Sequence, residues 1–313
     1  MSSRLCLAAA LSATVLLTAC GGEAGGEDDS ARYTVVTGFY PLEYATWQVV
    51  GDVPGVTVES LATSGADAHD LELTPRQVGR VSDSALVVYS GGMQPALDEA
   101  VAAQAPDHSL DVTTVIDLLE DHDHAEHDEG HDDHEDHDHG GVDPHFWLDP
   151  QRYATATEAI AEELAEVDPG NADTYRANAE AFTQELQALD EEFSTGLASC
   201  EHDTIVTTHE AFGYLADRYG LHQVGITGIS PEAEASPARM AEIAHQIEEL
   251  GVPAVYAETS LGGDLAEVIA AETGTEVLVL DPLEGITADS PGEDYPEVMR
   301  ANLAALEEGL GCA

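Results

Sequence analysis

The 313-residue sequence contains no lysine. Its nine basic residues are all arginine and stand against 62 aspartates and glutamates, a formal net charge of −53. A field of that sign repels phosphate backbones, which excludes a nucleic-acid partner and attracts cations instead. Acid in such excess over helix surfaces is also the composition expected of adaptation to high salt.

Long apolar runs are missing too. The longest near the N-terminus, residues 5–17, falls short of the roughly 20 residues a membrane-spanning helix needs. It follows Arg4 and ends in Leu17-Thr18-Ala19-Cys20-Gly21. Small residues before a cysteine, after a signal-type segment, resemble a bacterial lipobox. That makes residues 1–19 a signal peptide, Cys20 the lipidated first residue, and 20–31 a Gly/acidic tether. The protein is then extracytoplasmic and lipid-anchored to the bacterial cell membrane. The other reading is an ordinary signal peptide with Cys20 near the cut by chance.

Cysteine is scarce, with four in all. The signal peptide removes Cys6 and lipidation uses Cys20. Cys200 and Cys312 remain, and an even pair in an exported chain reads as a disulfide, with two free thiols as the alternative. Neither lies in a close-spaced pair, which argues against zinc ligation by them.

What is present is an alternation of short apolar strands with helical stretches. Residues 33–39, 56–61 and 85–89 read as strands, and 42–50, 74–81 and 94–103 as helices. The pattern returns with strands at 204–208, 221–226, 254–258 and 276–280, and helices at 237–250, 264–273 and 293–308. Such alternation indicates parallel β/α units. Between the two sets, Ala156, Ala159, Ile160, Leu164 and Val167 form one apolar stripe. Asp168-Pro169 then reads as a helix start. Ala172, Tyr175, Ala179, Phe182, Leu186, Leu189, Phe193 and Leu197 follow at steps of three and four, a seam on a helix about 40 Å long. A coiled coil would use the same seam, but β/α units on both sides favour a helix bridging two lobes. The expected fold is α/β: two β/α lobes with mainly parallel sheets, residues 32–166 and 200–313, joined by a long rigid helix over 167–199.

Residues 120–141 interrupt the first lobe. They hold His122, His124, His127, His131, His134, His137 and His139 among residues that are almost all Asp or Glu. Nothing there can bury a core, so the expectation is a mobile solvated loop.

Four positions outside that block carry metal-ligand chemistry. His69 lies in Ser64-Gly65-Ala66-Asp67-Ala68-His69-Asp70, past the second strand. His145 lies in Asp143-Pro144-His145-Phe146-Trp147-Leu148-Asp149-Pro150. His209 and Asp281 each follow a strand directly. In open parallel sheets ligands bind outside the carboxyl ends of strands, so two residues from each lobe would converge in the interlobe cleft. Three imidazoles and one carboxylate suit tetrahedral zinc, with bonds of about 2.0–2.2 Å, whereas manganese prefers more oxygen. A lone loop histidine is usually a surface residue, as His108, His202, His222 and His245 read here, and Asp-Pro steps are common in turns. The coincidence of four such positions carries the reading.

The segments Pro144-His145-Phe146-Trp147-Leu148-Asp149-Pro150, Thr208-His209-Glu210-Ala211-Phe212-Gly213-Tyr214-Leu215, Gly228-Ile229-Ser230-Pro231-Glu232-Ala233-Glu234 and Leu280-Asp281-Pro282-Leu283 resemble those of zinc-type solute-binding proteins of ABC transporters. That cluster also holds manganese binders, and the likeness runs from about residue 33 to the C-terminus. The resemblance implies a monomeric receptor, not an enzyme, that carries Zn2+ in one cleft site to an ABC permease. Residue by residue it implies His69, His145 and His209 as ligands and Asp281 as the carboxylate. Ala68 stands where some members carry an acid, which leaves Asp281 or a water to complete the shell. It further implies a disulfide in the C-terminal lobe, though not necessarily between the same positions.

Two other functions stay in view. One is a manganese or iron receptor of the same fold. The other is a secreted zinc hydrolase, which His209-Glu210 alone does not support, because Gly213 stands where a second histidine is required. The acidic loop reads as a low-affinity zinc collector, against a bland solvated linker. Deleting residues 121–140 is expected to leave one tight zinc site and abolish several weak ones. A calorimetric titration with unchanged stoichiometry would refute the collector.

Overall fold

The computed structural model describes residues 32–63, 68–119, 143–229, 235–259 and 264–313. The signal peptide, Cys20, the tether and His122, His124, His127, His131, His134, His137 and His139 of the acidic loop lie outside the described residues.

Two four-stranded sheets form, all of their pairings parallel. The first is built from β1 (Tyr33–Thr37), β2 (Val56–Ser60), β3 (Leu86–Tyr89) and β4 (Ser109–Asp111) in the order β2-β1-β3-β4. The second uses β5 (Thr204–Thr207), β6 (His222–Gly225), β7 (Ala254–Ala257) and β8 (Glu276–Val279) in the same relative order, β6-β5-β7-β8. The direction of winding reverses between β1 and β3, and again between β5 and β7. Such switch points open a crevice at the strand carboxyl ends.

Side chains alternate across these strands, so each sheet buries two faces. Val36 and Val87 pack outward on Val81 of α2 (Pro75–Asp83) and on Leu97 and Val101 of α3 (Pro95–Gln104). Val206 and Val255 do the same on Ile243 and Ile247 of α7 (Pro237–Leu250) and Ile269 of α8 (Asp264–Thr273). The opposite faces, with Val35, Val88, Ile205 and Tyr256, meet one continuous core. It is filled by α1 (Tyr40–Val50), α4 (Pro150–Val167), α5 (Ala172–Gly196), α6 (Gly213–Tyr219) and α9 (Tyr295–Leu310). The buried aromatics satisfy their polar tips on distant carbonyls. Tyr153 donates to Pro41 at 2.6 Å, Tyr295 to Trp147 at 2.6 Å, and the Trp147 indole to Pro282 at 2.8 Å.

The long helix differs from expectation at its start. Asp168 does not open α5. It closes α4, and its carboxylate takes the Asn171 amide at 2.6 Å and the Tyr175 hydroxyl at 3.1 Å, which holds the turn between the two helices. At 25 residues, α5 is about 38 Å long. It packs on α4 and α1 and, toward its other end, on α9. Beyond it, Cys200 is disulfide-bonded to Cys312, 112 residues away. That bond ties the exit of α5 to the end of α9.

α5 also carries a buried charge. Asp190 accepts from Arg218 of α6 at 2.8 and 2.6 Å, from Tyr219 at 3.1 Å and from Gln151 of α4 at 3.2 Å. Burial pushes its carboxyl up, and the Arg218 guanidinium outweighs that, holding it below the ordinary carboxylate range. A depressed carboxylate stabilises the fold above its unfolded pKa and loses that contribution as pH falls through the native one. Asp190→Asn is therefore expected to lower stability near neutral pH by about 1–2 kcal/mol, part-exposure of Arg218 weakening the pair. In urea denaturation the deficit should narrow as the pH is lowered toward about 3. A deficit independent of pH would show that the ion pair is not its source.

Candidate metal centre

Each lobe presents side chains at the carboxyl ends of its strands. His69 lies past β2, directly after Ala68, whose carbonyl accepts the buried Gln94 amide at 2.7 Å. His145 enters a single 3-10 turn over Phe146–Leu148, wedged by the fully buried Trp147, whose ring centroid is 5.2 Å from that of His145. His209 lies just past β5, and Glu284 is in the loop after β8.

These four groups meet. His69, His145, His209 and Glu284 each offer one ligand atom, and the four atoms lie within 4.8 Å of one another. The Nε2 atoms of His69 and His145 are 3.2 Å apart. Glu284 Oε1 is 3.3 Å from His69 Nε2, 3.4 Å from His145 Nε2 and 3.6 Å from His209 Nε2. A tetrahedral ion with bonds of about 2.0–2.1 Å separates neighbouring donors by about 3.3–3.4 Å. These four separations lie close to that figure. His145 and His209 are fully buried and Glu284 is 8% exposed, while the His69 side chain reaches the surface at 15%. His209 Nε2 and Glu284 Oε1 are buried without a hydrogen bond in the structure described. Two buried polar atoms that face a shared point without a hydrogen bond are costly unless something binds there.

The second nitrogens of the two buried rings are held by acids. His145 Nδ1 lies 2.7 Å from Asp143 Oδ1, and the same oxygen takes the His145 backbone N–H at 2.9 Å. His209 Nδ1 lies 2.6 Å from Glu258 Oε1, which also takes the His209 backbone N–H at 3.1 Å. One carboxylate oxygen thus pins both the chain and the ring of each histidine. A proton on Nδ1 leaves Nε2 as the inward donor.

These acids also set the electrostatics. Burial opposes charge on His209, yet the Glu258 and Glu284 carboxylates outweigh it and push its pKa up to about 10. Burial likewise disfavours the His145 cation, and Asp143 more than offsets it, so that pKa is raised as well. Burial pushes Glu284 up, but the three surrounding imidazoles hold it well below the usual carboxylate range.

Asp281, expected as the fourth group, is not among the four. Its Oδ1 accepts the Leu283 N–H at 2.8 Å and its Oδ2 the Thr259 hydroxyl at 2.7 Å, so both oxygens are engaged away from the cluster, one by its own loop and one by the segment after β7. Glu284, three residues on, stands in the cluster instead. Sequence reasoning also missed Asp143 and Glu258. Glu258 directly follows β7, but the strand expected from the sequence ran to 258 and included it, so the strand-end rule that singled out His209 fell one residue late there.

A family model for the periplasmic component A of the zinc-uptake complex, ZnuA, matches residues 35–309. The chain is 33% identical over 306 residues to the zinc-binding lipoprotein AdcA of Streptococcus pneumoniae, covering 94% of this chain and 58% of that one. It is 34% identical over 304 residues to the high-affinity zinc uptake system protein ZnuA of Bacillus subtilis, covering 95% and 94%. The chain therefore spans little more than half the length of the streptococcal relative and nearly all of the Bacillus one. Among solved structures, the laminin-binding protein Lmb of Streptococcus agalactiae, described as bifunctional with adhesin and metal-transporting activity, aligns with a TM-score of 0.74 at 33% identity, over 89% of this chain and 99% of that one. Zn(II)-bound AdcA from Streptococcus pneumoniae gives 0.74 at 32% identity, over 89% and 57%.

A divalent cation at the Nε2 atoms must displace the protons that Glu258, Glu284 and Asp143 favour there. Binding is therefore expected to release protons at neutral pH and to tighten as pH rises toward about 10. The window lies above the pH of about 6 at which unperturbed imidazole stops competing. Calorimetry in buffers of different ionisation enthalpy checks this. Binding enthalpies that do not vary with the buffer would contradict it.

Proposed function

The chain belongs to the ZnuA family of periplasmic zinc-uptake components, and on that premise we propose that it is an extracytoplasmic receptor that captures Zn2+ and hands it to the permease of an ABC importer. His69, His145, His209 and Glu284 are its ligands in this reading. The observation that carries it is a set of four donor atoms gathered within 4.8 Å, four of whose separations, 3.2–3.6 Å, are close to the edges of a zinc tetrahedron, with two of the rings backed by carboxylates.

The donor set argues for the ion. Three imidazole nitrogens and one carboxylate oxygen suit zinc, whereas manganese favours an oxygen-rich shell. It also argues against hydrolysis. A catalytic zinc keeps a position open for water, and four protein donors would fill a tetrahedral shell. The ion is cargo here, so the site has to let go as well as hold. Because both lobes share one core and α5 bridges them, release on docking would proceed by movement of the ligand-bearing loops rather than by wide hinge closure. A lipid on Cys20 would keep the receptor beside its permease.

Single substitutions His69→Ala, His145→Ala, His209→Ala and Glu284→Ala are each expected to weaken tight zinc binding at least about tenfold. Manganese should compete poorly with zinc in the parent protein. The proposal fails if all four variants bind zinc as the parent does, or if manganese displaces zinc at equal concentration.

A further inference from the structure

The loop that delivers Glu284 has its own support. After β8 ends at Val279, the chain turns through Leu283, the one non-glycine with a positive φ, 60°, among the described residues. A leucine is disfavoured in that left-handed conformation by its Cβ. Its surroundings must impose the turn.

Asp281 is where they do so. Its Oδ1 takes the Leu283 N–H at 2.8 Å, and its Oδ2 takes the Thr259 hydroxyl at 2.7 Å. Its own backbone N–H and carbonyl are both bonded by the side-chain amide of Asn302, from the fully buried face of α9, at 2.9 and 2.8 Å. The next carbonyl, of Pro282, takes the Trp147 indole N–H at 2.8 Å. Every polar group from Asp281 to the Leu283 N–H is thereby satisfied, and Glu284 leaves the turn in a fixed direction.

Thr259 follows Glu258 in the chain, and Glu258 holds His209. β7 therefore ends in two successive side chains, one supporting each of the cluster members that the C-terminal half supplies. We propose that Asp281, locked by Thr259 and Asn302, is a positioning residue that aims Glu284 into the histidine cluster, and that the Glu258-Thr259 step fixes both C-terminal ligands as one unit. This rests on the reading of the cluster as the zinc site. Glu284 Oε1 sits within 3.3–3.6 Å of all three Nε2 atoms, so a displacement of about 1 Å opens a coordination position to water.

The test uses the whole protein loaded with Co2+, whose visible absorption is strong in four-coordinate tetrahedral sites and weak at higher coordination, together with zinc competition. Asp281→Ala is expected to weaken zinc binding about tenfold or more and to lower the Co2+ absorption. Asp281→Asn keeps an oxygen for the Leu283 N–H and should stay within about threefold of the parent, with its spectrum. Thr259→Val should shift the spectrum in the same direction as Asp281→Ala but less, and Thr259→Ser should restore it. These threonine variants carry the test if Asp281→Ala does not fold. Asp281→Asn matching Asp281→Ala in both readouts would overturn the proposal, because it is the ligand charge that would then matter. Thr259→Val and Thr259→Ser behaving alike would overturn it too, as would variants that lose stability with an unaltered Co2+ spectrum. Glu284→Gln separates the two readings: if it changes neither spectrum nor affinity, the assignment of the zinc site itself is wrong.

Discussion

Two carboxylate–imidazole bonds, Asp143 to His145 at 2.7 Å and Glu258 to His209 at 2.6 Å, decide which way the donor atoms of this protein face. A neutral imidazole has one donor and one acceptor nitrogen, and a ring free to flip presents either. Here a single oxygen bonds both the backbone N–H and the ring of each histidine. That geometry permits one ring orientation. The bonds also answer the acids' own difficulty, since a buried carboxylate without partners is strongly disfavoured. Histidine and acid are each tolerable in the interior only because of the other.

The fold supplies the place for such pairs. Both sheets wind in the same order and so open their crevices at the same ends of their strands. The residues just past β5 and β7 are His209 and Glu258, neighbours across that switch point. The core between the sheets is continuous, so the crevices of the two halves face each other over fixed packing instead of a free hinge. Trp147 shows how closely site and core are joined. Its ring packs beside His145, its N–H holds the Pro282 carbonyl in the Glu284 loop, and its own carbonyl receives Tyr295 from α9. Packing and ligand placement are carried by the same side chain.

Much of this was legible in the sequence because it is local. Strand and helix alternation follows from apolar periodicity, and His209 was found by standing at a strand end. The misses are non-local. Glu284 reaches the cluster through a leucine in a left-handed turn, a conformation that local preference argues against. It is imposed by Asn302, 21 residues later than Asp281, and by Trp147, 135 residues before Pro282. No pattern around Asp281 announces that, so the strand-end rule nominated the residue that holds the turn instead of the one the turn presents. The start of α5 was misplaced for a similar reason. Asp168-Pro169 has the composition of a helix start, but Tyr175 and Asn171 recruit the Asp168 carboxylate to the turn between two helices. β4 is only three residues long and α6 only seven, too short to show a period.

Charge balance connects the cluster to its task. Three acids, Asp143, Glu258 and Glu284, lie in or directly against it, and three imidazoles face them. Neutral rings would leave those carboxylates uncompensated in a poorly solvated place, which is why His145 and His209 hold protons above the usual imidazole range. A divalent cation compensates the same acids and expels the protons, so ion and protons are alternative occupants of one electrostatic demand. Without a cation, the same acids keep the cluster from being left bare, because protons can take its place. A site with the same three histidines but no acids behind them would lack that substitution. Its rings would be free to turn whenever the site is empty, whereas Asp143 and Glu258 here hold theirs.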